Sequence, residues 1–197
     1  KTGRDAISGT GRLRDSLSFT YKNEGVYTTR VFTLDKNGKL QVEHQIFEMT
    51  DNLQGKGVAK KFMKNSMEFY EEIGVTNIKM DANIDVGGYA WPKYGFKPHN
   101  LGASQSLGDT LADRASSLAS FNDISQATLT QIRPLIAKLQ TDPSAIWAIS
   151  DITAVSSNGV KVGKNLLLGR DYKAVLNLSD KVAMRRFYSY VDPDRLE

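Results

Sequence analysis

Gln54-Gly55-Lys56-Gly57-Val58-Ala59 stands between an alternating, strand-like run over 40–49 and an amphipathic run over 58–73. A glycine-rich turn between a strand and a helix is a place to hold an anion. The first turn of a helix has N–H groups without intrahelical partners, and the helix dipole puts partial positive charge there. Gly55 and Gly57 permit backbone angles that other residues resist, and they let a phosphate approach the main chain without meeting a Cβ. Lys56, Lys60, Lys61 and Lys64 sit at the N-terminal end of the run, and Glu68, Glu71 and Glu72 towards its other end. That order opposes the dipole. Each misplaced exposed charge costs roughly 0.3–1 kcal/mol, which an anion at the N-terminus would offset. The plainer alternative is a solvated lysine-rich face, but strand, Gln-x-x-Gly-x-Ala and helix in succession favour the anion.

The elements around this turn follow from periodicity. Residues 18–22 and 26–34 are rich in β-branched and aromatic side chains, and Asp35-Lys36-Asn37-Gly38 carries the signal of a tight hairpin into the strand at 40–49. Alternation puts Leu40, Val42, His44 and Ile46 on one face of that strand and Gln41, Glu43, Gln45 and Phe47 on the other. Two carboxylates, Glu43 and Glu48, flank its end. In the helix, Val58, Phe62, Phe69 and Ile73 form a stripe, with Met63 and Tyr70 beside it. Gly74 ends the helix and residues 75–83 form a strand, giving a parallel β-α-β unit. Residues 85–93 read as one or two irregular turns because Gly87, Gly88 and Pro92 are poor helix residues.

Beyond residue 99 the pattern is helical. Leu107, Leu111 and Leu118 share one face, residues 124–139 support a second helix around Pro134, and Asp142-Pro143 starts a third. Asn158-Gly159 is a turn, 160–168 and 172–178 read as two closing strands, and Ser179 caps a final helix over 180–191. Residues 1–16 read as a loose lead-in or as a short helix near 11–17.

Composition narrows the chemistry. The 197 residues contain no cysteine and two histidines, His44 and His99, so disulfides, thiolate zinc sites and a cysteine nucleophile are excluded, and no metal site is expected. The chain is 40% hydrophobic and 24% charged with a net charge of +4, and no apolar run approaches the roughly 18–20 residues that cross a bilayer. The expectation is a soluble cytoplasmic protein. Starting at Lys1 with no signal pattern, the chain reads as a domain excised from a larger polypeptide. Its positive charge suits a polyanionic small ligand; nucleic acid would call for a broader basic stripe interleaved with aromatics.

Gln54, Gly57 and Ala59 fill the (Gln/Arg)-x-x-Gly-x-(Gly/Ala) acyl-CoA signature of the GCN5-related N-acetyltransferase superfamily, which the chain resembles over about residues 25–98. Tyr94-Gly95-Phe96 resembles the Gly-Phe after that family's fourth helix, and Gly87-Gly88-Tyr89-Ala90-Trp91 is similar to segments of acetyltransferase-like domains in large phage and mobile-element proteins. The resemblance implies an α/β fold, a GNAT-like mixed central sheet flanked by helices, with a helical insertion or appendage after the fourth helix. The corresponding segments are a basic lead-in at 1–17, the GNAT-like core at 18–98, the helical insertion at 99–157, and the closing strands and C-terminal helix at 158–197. It implies that acetyl-CoA binds through Gln54 and the backbone of Gly55, Lys56, Gly57, Val58, Ala59 and Lys60, with the backbone of Phe47 and Met49 pairing with pantetheine.

The resemblance further implies a glutamate base eleven residues before the signature Gln, which is Glu43. It implies a tyrosine acid five residues before the Phe of Gly-Phe, where this chain has Trp91. Trp cannot replace a phenol, so Tyr94 or Tyr89 stands in, or the thiolate leaves unassisted. The expected function is transfer of acetyl from acetyl-CoA to a primary amine of a protein lysine, a small molecule or an aminoacyl-tRNA. The alternative is a catalytically inactive module of the same fold that binds CoA or a macromolecular partner, protein or RNA.

Overall fold

Alternation and turn chemistry generate the strands, which in the computed structural model, describing residues 2–6, 13–82 and 87–196, are β1 (Thr2–Ala6), β2 (Leu13–Lys22), β3 (Val26–Leu34), β4 (Leu40–Met49), β5 (Asn77–Ala82), β6 (Lys97–Pro98) and β7 (Tyr172–Asn177). The helices are α1 (Val58–Glu72), α2 (Gly87–Lys93), α3 (Leu101–Ser120), α4 (Gln126–Leu139), α5 (Ala145–Ser150), α6 (Val162–Leu167) and α7 (Lys181–Val191). The protein is α/β, with a mixed sheet and flanking helices. It divides into two compact units, Lys1–Met80 with Leu176–Glu197 and Asp81–Val175. Lys1, residues 7–12 with Gly9, Gly11 and Arg12, and residues 83–86 with Asn83 and Asp85 lie outside the described residues.

In the first unit, β1 to β4 are antiparallel neighbours in chain order. The β3–β4 turn closes as Asn37-Gly38 dictates: Gly38 has φ +76°, and Asp35 Oδ1 accepts from the N–H groups of Asn37 (2.8 Å) and Lys39 (2.9 Å). Helix α1 then returns the chain, and β5 runs parallel to β4 from Gln41↔Asn77 to His44↔Met80. Val42, Met63, Met67, Ile78 and Phe187 form the centre of the core. The expected stripe on α1 is rotated: Met63, Met67 and Tyr70 are buried, whereas Phe69 and Ile73 line an open apolar groove with Leu17, Phe19 and Leu34. Residues 13–17 are strand rather than lead-in or helix, paired with β1 from Thr2↔Leu17 to Ala6↔Leu13. The cap of α7 is Asp180, whose carboxylate accepts from Val182 and Ala183 N–H at 3.1 Å, and not Ser179.

The second unit is built on the helix pair α3 and α4. Asn100 and Ser125 cap them by accepting from Ala103 N–H (2.8 Å) and Thr128 N–H (3.0 Å). Leu107, Leu111 and Leu118 are buried on α3, and Leu129, Ile132 and Ile136 on α4, as their spacing predicts. Residues 162–167 are helix, not the expected strand. Val162, Leu166 and Leu167 are buried while Lys161 and Lys164 are exposed, a helical spacing that β-rich composition disguised. Segment 87–93 is likewise a regular helix. A Cβ on Gly88 would lie 2.4 Å from the Leu167 carbonyl oxygen, so the glycine is there for close packing rather than for a break.

Among the described residues, no helix is long and apolar enough to cross a membrane, and no group of three or more His, Asp or Glu could hold a metal ion.

Candidate functional site

The site lies in the first unit and begins with a defect in β4. The strand pairs with β3 along its whole length, but Arg30 opposes His44 while Thr29 opposes Ile46, leaving Gln45 as an extra residue. Such a bulge bends its strand and increases the local twist. Pairing with β5 ends at the same place, at His44↔Met80, while β4 runs on to Met49. The bulge also resets the alternation. Phe47, expected on the Glu43 face, turns to the His44 face and meets the Phe62 ring of α1 with centroids 5.2 Å apart. Ile46, expected beside His44, goes to the opposite face.

From Met49 the chain makes one 3₁₀ turn, Asp51–Leu53, before the glycines. The Gln54 amide stabilises that turn by donating to the Met49 carbonyl (3.2 Å) and to Asp51 Oδ1 (3.1 Å). Gly55 and Gly57 have φ of +72° and +77°, and a Cβ on either would meet nothing within 4 Å. They are required by backbone conformation, in a turn open to its surroundings. Gly57 is the N-cap of α1 and supplies no side-chain acceptor, and the first helical closure is Lys61 N–H to Gly57 C=O at 3.1 Å. The N–H groups of Val58, Ala59 and Lys60 therefore precede the hydrogen-bonded ladder and face outward from an uncapped positive helix end, with no acidic residue in the first turn.

The four lysines divide into two pairs. Lys60 Nζ lies 3.9 Å from the centroid of the Tyr190 ring, and Lys64 Nζ pairs with Asp192 at 2.8 Å, which raises its pKa. Their charge is engaged by α7 and the residue after it. Lys56 and Lys61 are exposed beside the turn.

Glu43 is exposed, on the face opposite His44, with Val31 and Lys79 as its strand neighbours. Glu48 is also exposed and opposes Tyr27. His44 is buried, and its Nε2 is 2.9 Å from the Tyr70 hydroxyl. Burial, and then the neighbouring Arg30 guanidinium, hold its pKa well below the ordinary imidazole value, so the ring is neutral.

The two tyrosines belong to the second unit. Tyr94 is buried, and the Trp91 ring lies 5.5 Å from it and 5.6 Å from Phe96. Tyr89 is half-buried, with Lys93 Nζ 5.5 Å from its ring centroid and that ammonium paired with Asp151 at 2.6 Å. The glycine turn, the bulged strand and Glu43 thus belong to one unit, and Tyr89, Trp91 and Tyr94 to the other.

Sequence reasoning passed over Arg30. It is 6% exposed, and the only readable signal is its place between Thr28 and Phe32, at alternate positions of a strand whose inward residues are otherwise uncharged. Helical spacing marks Tyr70 only as a packing residue, yet it carries the hydroxyl that joins His44.

No protein-family model, curated protein or solved structure matches the chain.

Proposed function

We propose that this is a GCN5-related N-acetyltransferase domain that binds acetyl-CoA at the turn 54–60 and transfers the acetyl group to a primary amine. The observation that carries the reading is the N-terminus of α1: an uncapped helix start, entered through Gly57 at φ +77° with open space around it, one short turn beyond a strand whose pairing with its parallel neighbour ends at His44. The backbone N–H groups of Val58, Ala59 and Lys60, with Lys56 and Lys61 nearby, fit a pyrophosphate. The backbone of Phe47 and Met49, on β4 beyond its last pair with β5, fits the amides of pantetheine.

Acetyl-CoA supplies a thioester carbonyl as acyl donor. The amine nitrogen forms a bond to that carbon, the carbon–sulfur bond breaks, the ammonium proton passes to a base, and the sulfur leaves as thiolate to be protonated. Glu43 is the base in this reading, working through water because it is exposed. Tyr89 is better placed than buried Tyr94 to exchange a proton with solvent.

The burial of Tyr94 and the indole of Trp91 at the usual acid position favour a second reading, a module of this fold that binds CoA without turnover. Calorimetric titration of acetyl-CoA and CoA, with Gly57→Glu as control, tests the binding claim. Saturable binding that the variant abolishes is expected, and a folded wild-type chain that binds neither ligand overturns both readings. Acetyl transfer across a panel of amines then separates them.

A further inference from the structure

Arg30 is a buried cation with no carboxylate partner among the described residues. Removing a charge from water is expensive, and an apolar side chain of similar volume usually serves stability as well or better. What the guanidinium does instead is local. Nη1 donates to the carbonyls of Thr29 (3.2 Å) and Ile46 (2.9 Å), the two residues that oppose each other at the edge of the bulge. Thr28 Oγ1 donates to the same Ile46 oxygen at 3.0 Å. The guanidinium carbon lies 5.7 Å from the Phe47 ring centroid and 5.8 Å from that of Phe62. Those are the rings that meet only because the bulge reverses the face of Phe47. Nη2 is buried and without a partner.

We propose that Arg30 is a positioning residue: it holds β4 in its bulged course and so sets the backbone of residues 46–49 to receive the pantetheine arm of an acyl-CoA. The ligand half of this rests on the acetyl-CoA reading above. A bulge interrupts the ladder, and the carbonyls beside it need donors from elsewhere. Arg30 reaches one on each strand and clamps the bulge across the pair, while its flat cation lies beside both the Phe47 and Phe62 rings. Lysine can keep the charge and a donor, but its ammonium lacks the flat guanidinium face that lies against the Phe47 and Phe62 rings.

The test compares the wild-type chain with Arg30→Met and Arg30→Lys, using site-resolved amide hydrogen exchange in the absence of ligand and calorimetry with acetyl-CoA. Loss of a charge-assisted hydrogen bond predicts exchange about tenfold faster or more at Phe47, Glu48 and Met49 in Arg30→Met, with α1 amides near Met63 and Met67 little changed. Arg30→Lys is expected to fall between the two. Acetyl-CoA affinity should drop in the same order, by about tenfold or more in Arg30→Met. Unchanged exchange at 46–49, or a uniform rise through the whole unit, overturns the positioning role. A folded wild-type chain that does not bind acetyl-CoA overturns the ligand half, while the exchange data still decide the bulge half. Should Arg30→Met fail to fold, Arg30→Lys decides by the same readouts.

Discussion

His44 Nε2 and the Tyr70 hydroxyl meet at 2.9 Å between β4 and α1, both residues buried and both close to the charge of Arg30. The imidazole is neutral in the folded protein and protonates freely once unfolded. Below the unfolded value of about 6.5 the unfolded state therefore binds more protons, and stability falls as pH drops from there towards the lower folded pKa. In that window the wild type should lose up to about 1.4 kcal/mol per pH unit more than His44→Gln. Urea unfolding of both proteins from pH 7.5 to 5 checks this. Parallel pH profiles would show that His44 does not carry the linkage.

Two glycines should respond oppositely to asparagine. Gly57→Ala places a Cβ in open space at φ +77° and should cost about 1–2 kcal/mol in backbone strain alone. Gly57→Asn should recover much of this, since Asn tolerates that conformation. Gly88→Ala drives a Cβ to 2.4 Å from the Leu167 carbonyl and should cost about 1–3 kcal/mol, and Gly88→Asn should be worse. Thermal unfolding of the four variants measures the contrast.

Salt and charge should separate the four lysines of α1 and its turn. Lys56→Gln and Lys61→Gln are expected to weaken acetyl-CoA binding by about two- to tenfold, and to flatten its dependence on ionic strength. Lys64→Gln should change affinity little, since its ammonium is held by Asp192 at 2.8 Å. Calorimetry at low and moderate salt gives both quantities.

Tyr188 donates to Glu71 Oε1 at 2.8 Å, and Arg195 lies over its ring at 3.7 Å and 3.4 Å from Glu71 Oε2. Burial and the carboxylate push the phenol pKa up, so the hydroxyl stays a donor throughout the working range. Tyr188→Phe should destabilise the protein by about 1 kcal/mol, at the low end for a bond to a charged acceptor because Glu71 is exposed. Urea unfolding at neutral pH tests it.

What could be read from the chain was local chemistry with a fixed offset. The Asn37-Gly38 turn, the strand–glycine–helix passage at 54–58 and the leucine face of α3 depend on near neighbours, and each formed where its residues indicate. What escaped depended on distant partners. Gly87 and Gly88 look like helix breakers until the carbonyls of Leu167 and Arg170 are seen against Gly88. The bulge at Gln45 leaves no mark in a run that alternates well, so Phe47 was assigned to the wrong face. Arg30 draws no notice in the sequence because nothing near it in the chain announces that Ile46 needs a donor.

Residues 81–175 form a continuous stretch, whereas the first unit is completed only when residues 176–196 return to it. Lys60 and Lys64 find Tyr190 and Asp192 there, and Glu71 finds Tyr188 and Arg195. As the chain emerges during synthesis, the helix that follows the glycine turn is made early but clamped late. The intervening unit has all of its own contacts in hand while the first half still waits for its closing helix. The packing of the helix that starts at Gly57 therefore depends on residues made more than a hundred positions later.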